Sequence, residues 1–534
     1  MGWDEIKKAK RRLAREQGTI IKDWGGRIPV ALIYPNSYYT GMSNLGIHAI
    51  YSLLNSQGKV VCERAFWEKD NNIQQSPPLS LESQRPLSDF AVVAFSITYE
   101  VDYFNVVSIL KASGIPLYAA DRDEGHPAII AGGSCIMANP LPLSPFFDCL
   151  CIGEAEPILP VILPILSEGI GGKRDELLKA LASLPGIYVP QYYSGTPVVR
   201  QWAANLDDFP TTTTIVTPDT ELGGLYLIEV ERGCHWGCRF CLVRNAFRPM
   251  RYRSIDSLMV QAELGLNYRR RLGLVGPAVS DHPQIEELVV RLQQMGAELS
   301  VSSLRTRPLS RIVLRELAKG GAQTIALAPE AGSQRLRQVI KKGISEDDIL
   351  QAVSKVAELK IRQLKLYFMI GLPSETDEDI EEIAALTLKG KGIIDRQQSG
   401  CRIILSITPF VPKAGTPFQW LPMASLPTLE HRLSLLKGKL MPKGVKVKGE
   451  SPAWSEVQGV LSRGDAKLAE VLADVEQVSL SGWRQAVEKC HLDVDYYAHQ
   501  RWDTSQKLPW SIIDSGIKPE KLKLELKRAL AHKL

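Results

Sequence analysis

The sequence of 534 residues contains no long hydrophobic run. Its most apolar stretch, residues 157–166, falls short of the ~18 apolar residues that cross a bilayer and is broken by proline, which excludes a spanning helix. The N-terminal stretch MGWDEIKKAKRRLAREQG is basic but leads into no apolar segment. Ile6 stands where an N-myristoylation signal has Ser or Thr, so a cytoplasmic protein is expected. Neither sign of charge dominates: 64 Lys+Arg face 59 Asp+Glu, and a net +5 over so large a surface does not mark a nucleic-acid binder. Cysteines are few, nine, and odd in number, with no secretion signal. A disulfide framework is not expected, and metal or redox chemistry becomes the question. What is present is an ordinary globular composition, 45% hydrophobic, 23% charged and 7% aromatic, which rules out a mainly disordered or fibrous chain. The length suits about two to four domains.

Cys62, Cys135, Cys149, Cys151, Cys401 and Cys490 are scattered. Cys149 and Cys151 alternate in FFDCLCIGE, as two core residues on one face of a strand do. Cys234, Cys238 and Cys241 instead share GCHWGCRFC. This Cys-x3-Cys-x2-Cys spacing puts three thiolates on one short loop, enough for three corners of a cubane iron–sulfur cluster with one iron left open. Zinc is the alternative on spacing. A structural zinc site closes with four ligands, however, and His235 is adjacent to Cys234, where two side chains rarely meet one metal. Gly233 and Gly237 relieve the crowding of the wrap, and Phe240 can shield the cluster.

Apolar, β-rich runs recur at residues 225–230, 273–276, 298–303, 323–328, 364–370 and 401–407, with helical periodicity between them. Ser254, Ser345 with Asp348, and Thr376 with Asp379 read as helix N-caps. Six β-α units demand parallel strands with right-handed crossovers, a partial (β/α)6 TIM barrel over 223–435. The cysteine loop follows the first strand, at the rim where barrel active sites are built. Upstream, IPVALIYP, VVCERAF, FAVVAFSITYE, PAIIAGG and FFDCLCIGEAE form a second β-α series over 26–185, an α/β Rossmann or flavodoxin-like sheet that binds ligands beyond its strand ends. Ser96 and Thr98, Gly132 and Gly133, and Gly153 and Glu154 end successive strands and are the candidate ligand residues; the glycines equally serve as plain turn formers. A helical segment at 1–25, a Thr/Pro/Tyr-rich linker at 186–222 and a helical cap at 436–534 complete the expected division.

Cys-x3-Cys-x2-Cys with an aromatic before the third cysteine resembles the signature of the radical S-adenosylmethionine (SAM) superfamily. The resemblance implies that Cys234, Cys238 and Cys241 bind a [4Fe–4S] cluster, that the open iron chelates SAM, and that reductive cleavage yields a 5′-deoxyadenosyl radical. It implies SAM contacts at Gly276, in VGPAVSD where the family often has Gly-Gly-Glu, at Glu330 and Arg335 in ALAPEAGSQRLR, and at Met369, Gly371 and Leu372 in YFMIGLPSET. Since Pro277 and Ala278 replace the family's residues, that contact falls to backbone carbonyls. Glu330 has a second reading as an ordinary rim carboxylate, and Met369, Gly371 and Leu372 have one as a plain strand end and tight turn.

With the upstream series, the chain is similar to cobalamin-dependent radical SAM enzymes. Through IYPNSYYTGMSNLG, FSITYE, AGGSCIMANP, IGEAE, FVPKAGTPFQW and LSRGD it resembles a largely uncharacterised cobalamin-binding family of anaerobic microbes, many of whose members carry a further C-terminal domain that this chain is expected to lack. The Asp-x-His-x-x-Gly motif that places a His under cobalt is absent. His48, inside LGIHAIY, reads as core, so cobalamin is expected to lack a protein His ligand. The implied activity is C-methylation of an unactivated carbon, with cyclisation, rearrangement or oxidation without methyl transfer as the alternative. A non-enzymatic binding module is the third reading, and an open iron argues against it. Methylthiotransferases need a second N-terminal three-cysteine cluster that Cys62, Cys135, Cys149 and Cys151 do not form. An external one-electron donor such as flavodoxin or ferredoxin is implied, and the substrate is unassigned. Trp420 and Phe418 read as packing beneath the barrel mouth. The Lys-rich final helix reads as a solvated face rather than an RNA-binding arm, while Arg248, Arg251 and Arg253 are placed to steer an anionic substrate.

Overall fold

The computed structural model describes residues 3–68 and 77–531; the first two residues of the expected N-terminal segment and the last three of the cap lie outside them. In the first α/β unit, strands β1 (Ile28–Tyr34), β2 (Val60–Phe66), β3 (Val92–Ser96), β4 (Ala128–Gly132) and β5 (Cys149–Cys151) pair in parallel. β6 (Ile187–Tyr188) is added antiparallel, in the order β2-β1-β3-β4-β5-β6. This is the flavodoxin-like order, with its switch point between β1 and β3, where such sheets open to ligands. The period of two along the strands divides their side chains between two packings. Ala31, Ile33, Val93, Phe95, Ile129 and Leu150 enter the core shared with the C-terminal helices. Val30, Leu32, Val92 and Ile130 face the helices Leu45–Ser56 and Ala155–Gly169. The latter helix contains the apolar run, with Pro160 and Pro164 in its interior.

The second unit is the expected partial barrel. Its first three strands, Tyr226–Glu229, Arg271–Val275 and Glu298–Val301, form one parallel sheet. The fourth to sixth, Thr324–Glu330, Gln363–Ile370 and Arg402–Pro409, belong to a second parallel sheet, joined to the first by a bridge between Leu304 and Leu327. Ser254 caps the helix Ile255–Leu266, and Ser345–Asp348 and Thr376–Asp379 form capping boxes. These satisfy backbone N–H groups that helix ends would otherwise leave bare. A seventh parallel strand, Lys446–Gly449, pairs with the sixth beyond residue 435, where the barrel was expected to end. Only Val447 among its residues is buried, too little apolar pattern to announce a strand.

Within 186–222, Val198–Val199 pairs with Ile513–Asp514, so this stretch ties the cap to the sheet region rather than running free. Phe104 of the first unit meets Trp454 and Trp483 of the cap edge-on, and Phe410, Phe418 and Trp420 from the barrel end lie in the same core. The three regions therefore pack as one body. Among the described residues no helix is long and apolar enough to cross a membrane.

Candidate active site

The first barrel strand leads directly into the cysteine loop. Gly233 has φ +86°, and a Cβ there would meet the carbonyl oxygen of Phe247 at 2.2 Å, so only glycine admits this turn. Arg239, between the second and third cysteines, is buried. Its guanidinium donates to the carbonyl oxygens of Gln338 and Val339 and pairs with Glu525, which pins the loop to the barrel and to the last helix. Cys234, Cys238 and Cys241 then line one cavity of about 250 Å³, together with Phe240, Arg305, Glu330 and Lys342. Among the described residues no three His, Cys, Asp or Glu side chains converge on the position of a single ion. The thiols are thus not arranged as a mononuclear zinc site, and a cluster large enough to reach all three fits the donor set. Burial pushes the Cys234 thiol up and that of Cys241 up to about 11, so protein groups alone do not hold these sulfurs as thiolates.

Both signs of charge line the cavity. Arg305 stacks on the Trp236 ring at 3.6 Å and lies 3.7 Å from Asp281, which accepts from the Trp236 indole N–H. This trio locks the loop between the first two cysteines to the segments that follow the second and third strands. Glu330 takes φ +69° at a register shift in the fourth strand and pairs with Lys342 at 3.2 Å. A non-glycine residue held in the left-handed region is strained, and such strain gathers at functional positions. Behind the cavity, Glu231 is buried; its Oε1 accepts from the Ala278 N–H while Oε2 has no hydrogen-bond partner among the described residues. Burial, with Asp281 and Glu229 nearby, pushes its carboxyl up to about 7.

The other expected SAM contacts fall elsewhere. Gly276 lies against the Glu231 side chain, and its neighbour Pro277 is the residue that lines the cavity. Arg335 is turned to Asp379 and Ser374, and Gly371 packs on Leu429 and Ala424 with its N–H donated to Glu375. Met369 and Leu372 lie in the core shared with the cap. The cation that the sequence reading placed at Arg335 is supplied at the cavity by Arg305 and Lys342, and no local pattern distinguishes these from other rim residues.

A second cavity, of about 540 Å³, opens at the carboxyl ends of β3, β4 and β5 and runs between the sheet and the helices Leu45–Ser56 and Ala155–Gly169. Ser96, Thr98, Gly132, Gly133, Gly153 and Glu154 all line it, above apolar walls that include Leu32, Ala94 and Ile158. It is of ligand size and lies beside the switch point. The glycines have separate reasons. A Cβ at Gly133 would meet the Ile97 carbonyl oxygen at 2.3 Å, and one at Gly153 the Gln201 carbonyl oxygen at 2.4 Å, whereas at Gly132 nothing lies nearer than 3.7 Å. Chain packing thus requires Gly133 and Gly153, and only Gly132 leaves room for a ligand. The carboxylate of Glu154 is already engaged, accepting from Arg251, Arg232 and the Ala203 N–H. Although burial opposes its charge, Arg251 and Arg232 hold the carboxyl below its ordinary range.

Arg251 and Arg253 are consequently not free to steer a substrate. They pair with Glu154 and Glu229 in the interior, and the Arg248 guanidinium donates to the Gly516 carbonyl oxygen. These partners are distant in sequence, so charge spacing does not foretell them. His48 is enclosed, with Nε2 facing the Met42 carbonyl oxygen and Nδ1 the N–H groups of Thr214 and Ile215; burial lowers its pKa to about 4. It has no nitrogen to offer a metal.

Residues 228–387 match the family described as the Radical SAM superfamily, and residues 46–190 match Radical SAM proteins, N-terminal. An uncharacterized protein of Methanocaldococcus jannaschii is 33% identical over 455 residues, covering 83% of this chain and 90% of that protein. An uncharacterized methyltransferase of Pyrococcus horikoshii is 25% identical over 161 residues, 29% of this chain and 35% of its own. The solved structure of the radical S-adenosylmethionine methyltransferase TsrM from Kitasatospora setae, with cobalamin and a [4Fe–4S] cluster bound, is similar in fold: TM-score 0.54, 13% identity, 87% of this chain and 99% of that one. The cysteine loop, its place on the barrel and the extent of these matches agree: the chain belongs to the radical SAM superfamily.

Proposed function

We propose that the protein is a cobalamin-dependent radical SAM enzyme that methylates an unactivated carbon. Cys234, Cys238 and Cys241 would hold the [4Fe–4S] cluster, the cavity they line would take SAM, and the cavity on the N-terminal sheet would take cobalamin. When bound, these groups supply one-electron cleavage of SAM and a transferable methyl group. The observation that carries the reading is that the two cavities are neighbours: Val243, in the short helix after the cysteines, lines both.

The residues of the chain bind, orient and exclude water. SAM carries one carboxylate and two cationic centres, and the lining offers Arg305 and Lys342 for the first and Glu330 for the others. Phe240 and Val243 keep the cluster side apolar. Trp236, Asp281 and Arg305 fix the cysteine loop before any ligand arrives, so little ordering is left to the binding step. Ser96, Thr98 and Gly132 present small, hydrogen-bonding surfaces at the mouth of the second cavity. His48, its two ring nitrogens engaged by Met42, Thr214 and Ile215, would take no part in holding the cofactor.

The test is anaerobic reconstitution with iron, sulfide, cobalamin and SAM, dithionite reduction, and mass spectrometry of nucleosides and of candidate substrate pools. The wild type should form 5′-deoxyadenosine and, with substrate, S-adenosylhomocysteine; Cys238→Ala should form neither. Absence of 5′-deoxyadenosine from the wild type would defeat the proposal. 5′-Deoxyadenosine and a modified substrate without S-adenosylhomocysteine would leave cyclisation, rearrangement or oxidation instead.

A further inference from the structure

The inner face of the barrel is not filled in the usual way. A closed barrel packs its interior with layers of bulky branched side chains. Here the fourth to seventh strands send Leu327, Leu364, Leu366, Leu405 and Val447 outward into the core under the helices. Strand alternation leaves the residues between them on the inner face. Register places Ala326, Lys365, Ile404 and Lys446 in one row across that face, and Tyr367, Ser406 and Lys448 in the next row toward the carboxyl ends. Ala328, on the same face of the fourth strand, carries this surface into the cavity lined by the three cysteines. The Lys365 Nζ lies over the Tyr367 ring, 4.5 Å from its centroid. Lys365, Tyr367 and Ser406 are half-buried and Lys446 and Lys448 exposed, so the face stays open to solvent.

None of these three lysines has an ion pair or a side-chain hydrogen bond among the described residues. The one carboxylate on the inner face of the four strands, Glu330, is taken by Lys342. Glu450, just past the seventh strand, lies in the field of Lys413. Lys446 and Lys448, two residues apart on one face, stand about 7 Å from each other. Like charges gathered on a sheet face without a counter-ion destabilise it, and an anionic ligand removes that cost. On the inner face of the first two strands, Leu227 covers Gly273, where a Cβ would meet its side chain at 2.6 Å. That part of the wall is apolar.

We infer that this inner face binds the carboxylate or phosphate of an organic acceptor whose carbon skeleton rests on the apolar wall. The inference rests on the proposed reading of the cysteine cavity as the SAM site and names the class of substrate it serves. Lys365 and Lys448 supply the opposing charge, and the Tyr367 and Ser406 hydroxyls can donate to the same oxygens. No bond forms or breaks in this step. The arginines next to the cysteine loop are spent on Glu154 and Glu229, which leaves these lysines as the cations available to a substrate. A neutral or cationic acceptor would leave all three without a counter-ion.

The experiment is isothermal titration calorimetry of the holoenzyme reconstituted with iron, sulfide and cobalamin, with SAM present. The probes share one skeleton: 3-phenylpropionate, 3-phenylpropyl phosphate and the uncharged 3-phenylpropan-1-ol. At least one anion should bind about tenfold or more tighter than the alcohol, and the tighter of the two assigns carboxylate or phosphate. Lys365→Met/Lys448→Met should lose that preference and leave the alcohol's affinity unchanged. Lys365→Arg should keep most of it, and Lys448→Met, at an exposed position, should show a smaller loss of the same sign. Lys389→Met, whose lysine pairs with Glu346 on an outer helix, should match the wild type. Anions that bind no tighter than the alcohol overturn the site. So does a double variant that keeps the preference, one that loses anion and alcohol alike, or an equal loss in Lys389→Met. Dithionite reduction of the wild type without probe separates the two readings: absence of 5′-deoxyadenosine defeats the radical SAM proposal, while the anion preference is scored on the calorimetry alone.

Discussion

Replacing Glu154 tests the junction between the N-terminal sheet and the barrel. Its carboxylate accepts from Arg251 at 2.7 and 2.9 Å, from Arg232 at 2.9 Å and from the Ala203 N–H at 3.1 Å. In Glu154→Ala, Arg232 keeps Glu229 and Glu156, but Arg251, with only 7% of its side chain exposed, loses its one carboxylate among the described residues. Removing one partner from a buried pair costs about 3–5 kcal/mol, because the other charge stays desolvated. Glu154→Gln keeps a hydrogen-bonding shape and should cost about 1–3 kcal/mol. The assay is the free energy of the first urea-unfolding transition, read by near-ultraviolet circular dichroism. Glu154→Met/Arg251→Met, which removes both charges, should recover much of the loss. The sign with pH follows from the lowered folded pKa: the pair's contribution is present above the ordinary carboxyl value of 4.5 and is lost as pH falls through the folded value. A cost below about 1 kcal/mol for Glu154→Ala, or a double variant no better than the single, would refute the argument.

Arg305→Ala should weaken SAM binding to the cluster-loaded protein about tenfold or more, measured by equilibrium dialysis, while Arg335→Ala leaves it unchanged. The Glu231 carboxyl, raised to about 7 from 4.5, contributes stability that is full below pH 4.5 and declines as pH rises to 7. About 3 kcal/mol is at stake by linkage, so Glu231→Gln should gain stability relative to wild type in urea unfolding at pH 8 and little at pH 5. Ala94→Trp, which fills the cavity on the N-terminal sheet, should abolish cobalamin retention after desalting, read by visible absorbance, and leave the iron–sulfur absorbance intact.

The strands and caps were legible because they rest on short-range rules. Residues 363–368 alternate between half-buried and buried, Ser345 and Asp348 bond each other's backbone, and three cysteines within one loop are found by their spacing alone. Lys446–Gly449 escaped because a strand with one buried residue is recognised only by the neighbour it pairs with. Arg335 lies near Glu330 in sequence, but its helix turns it to Asp379, which the local sequence does not foretell.

By itself the sequence determined that the chain is an α/β protein with two successive strand–helix units, that three of its cysteines share one short loop, and which residues end the strands. These are properties of periodicity and spacing, which the chain carries locally. Only the tertiary structure decided which charges meet. Arg251 and Arg253 look like a basic cluster along the chain but are neutralised by Glu154 and Glu229, whereas Arg305, unremarkable in sequence, stacks on Trp236 beside the cysteines. Ion pairs act through space over a few ångströms, and the fold alone sets which distant residues come that close.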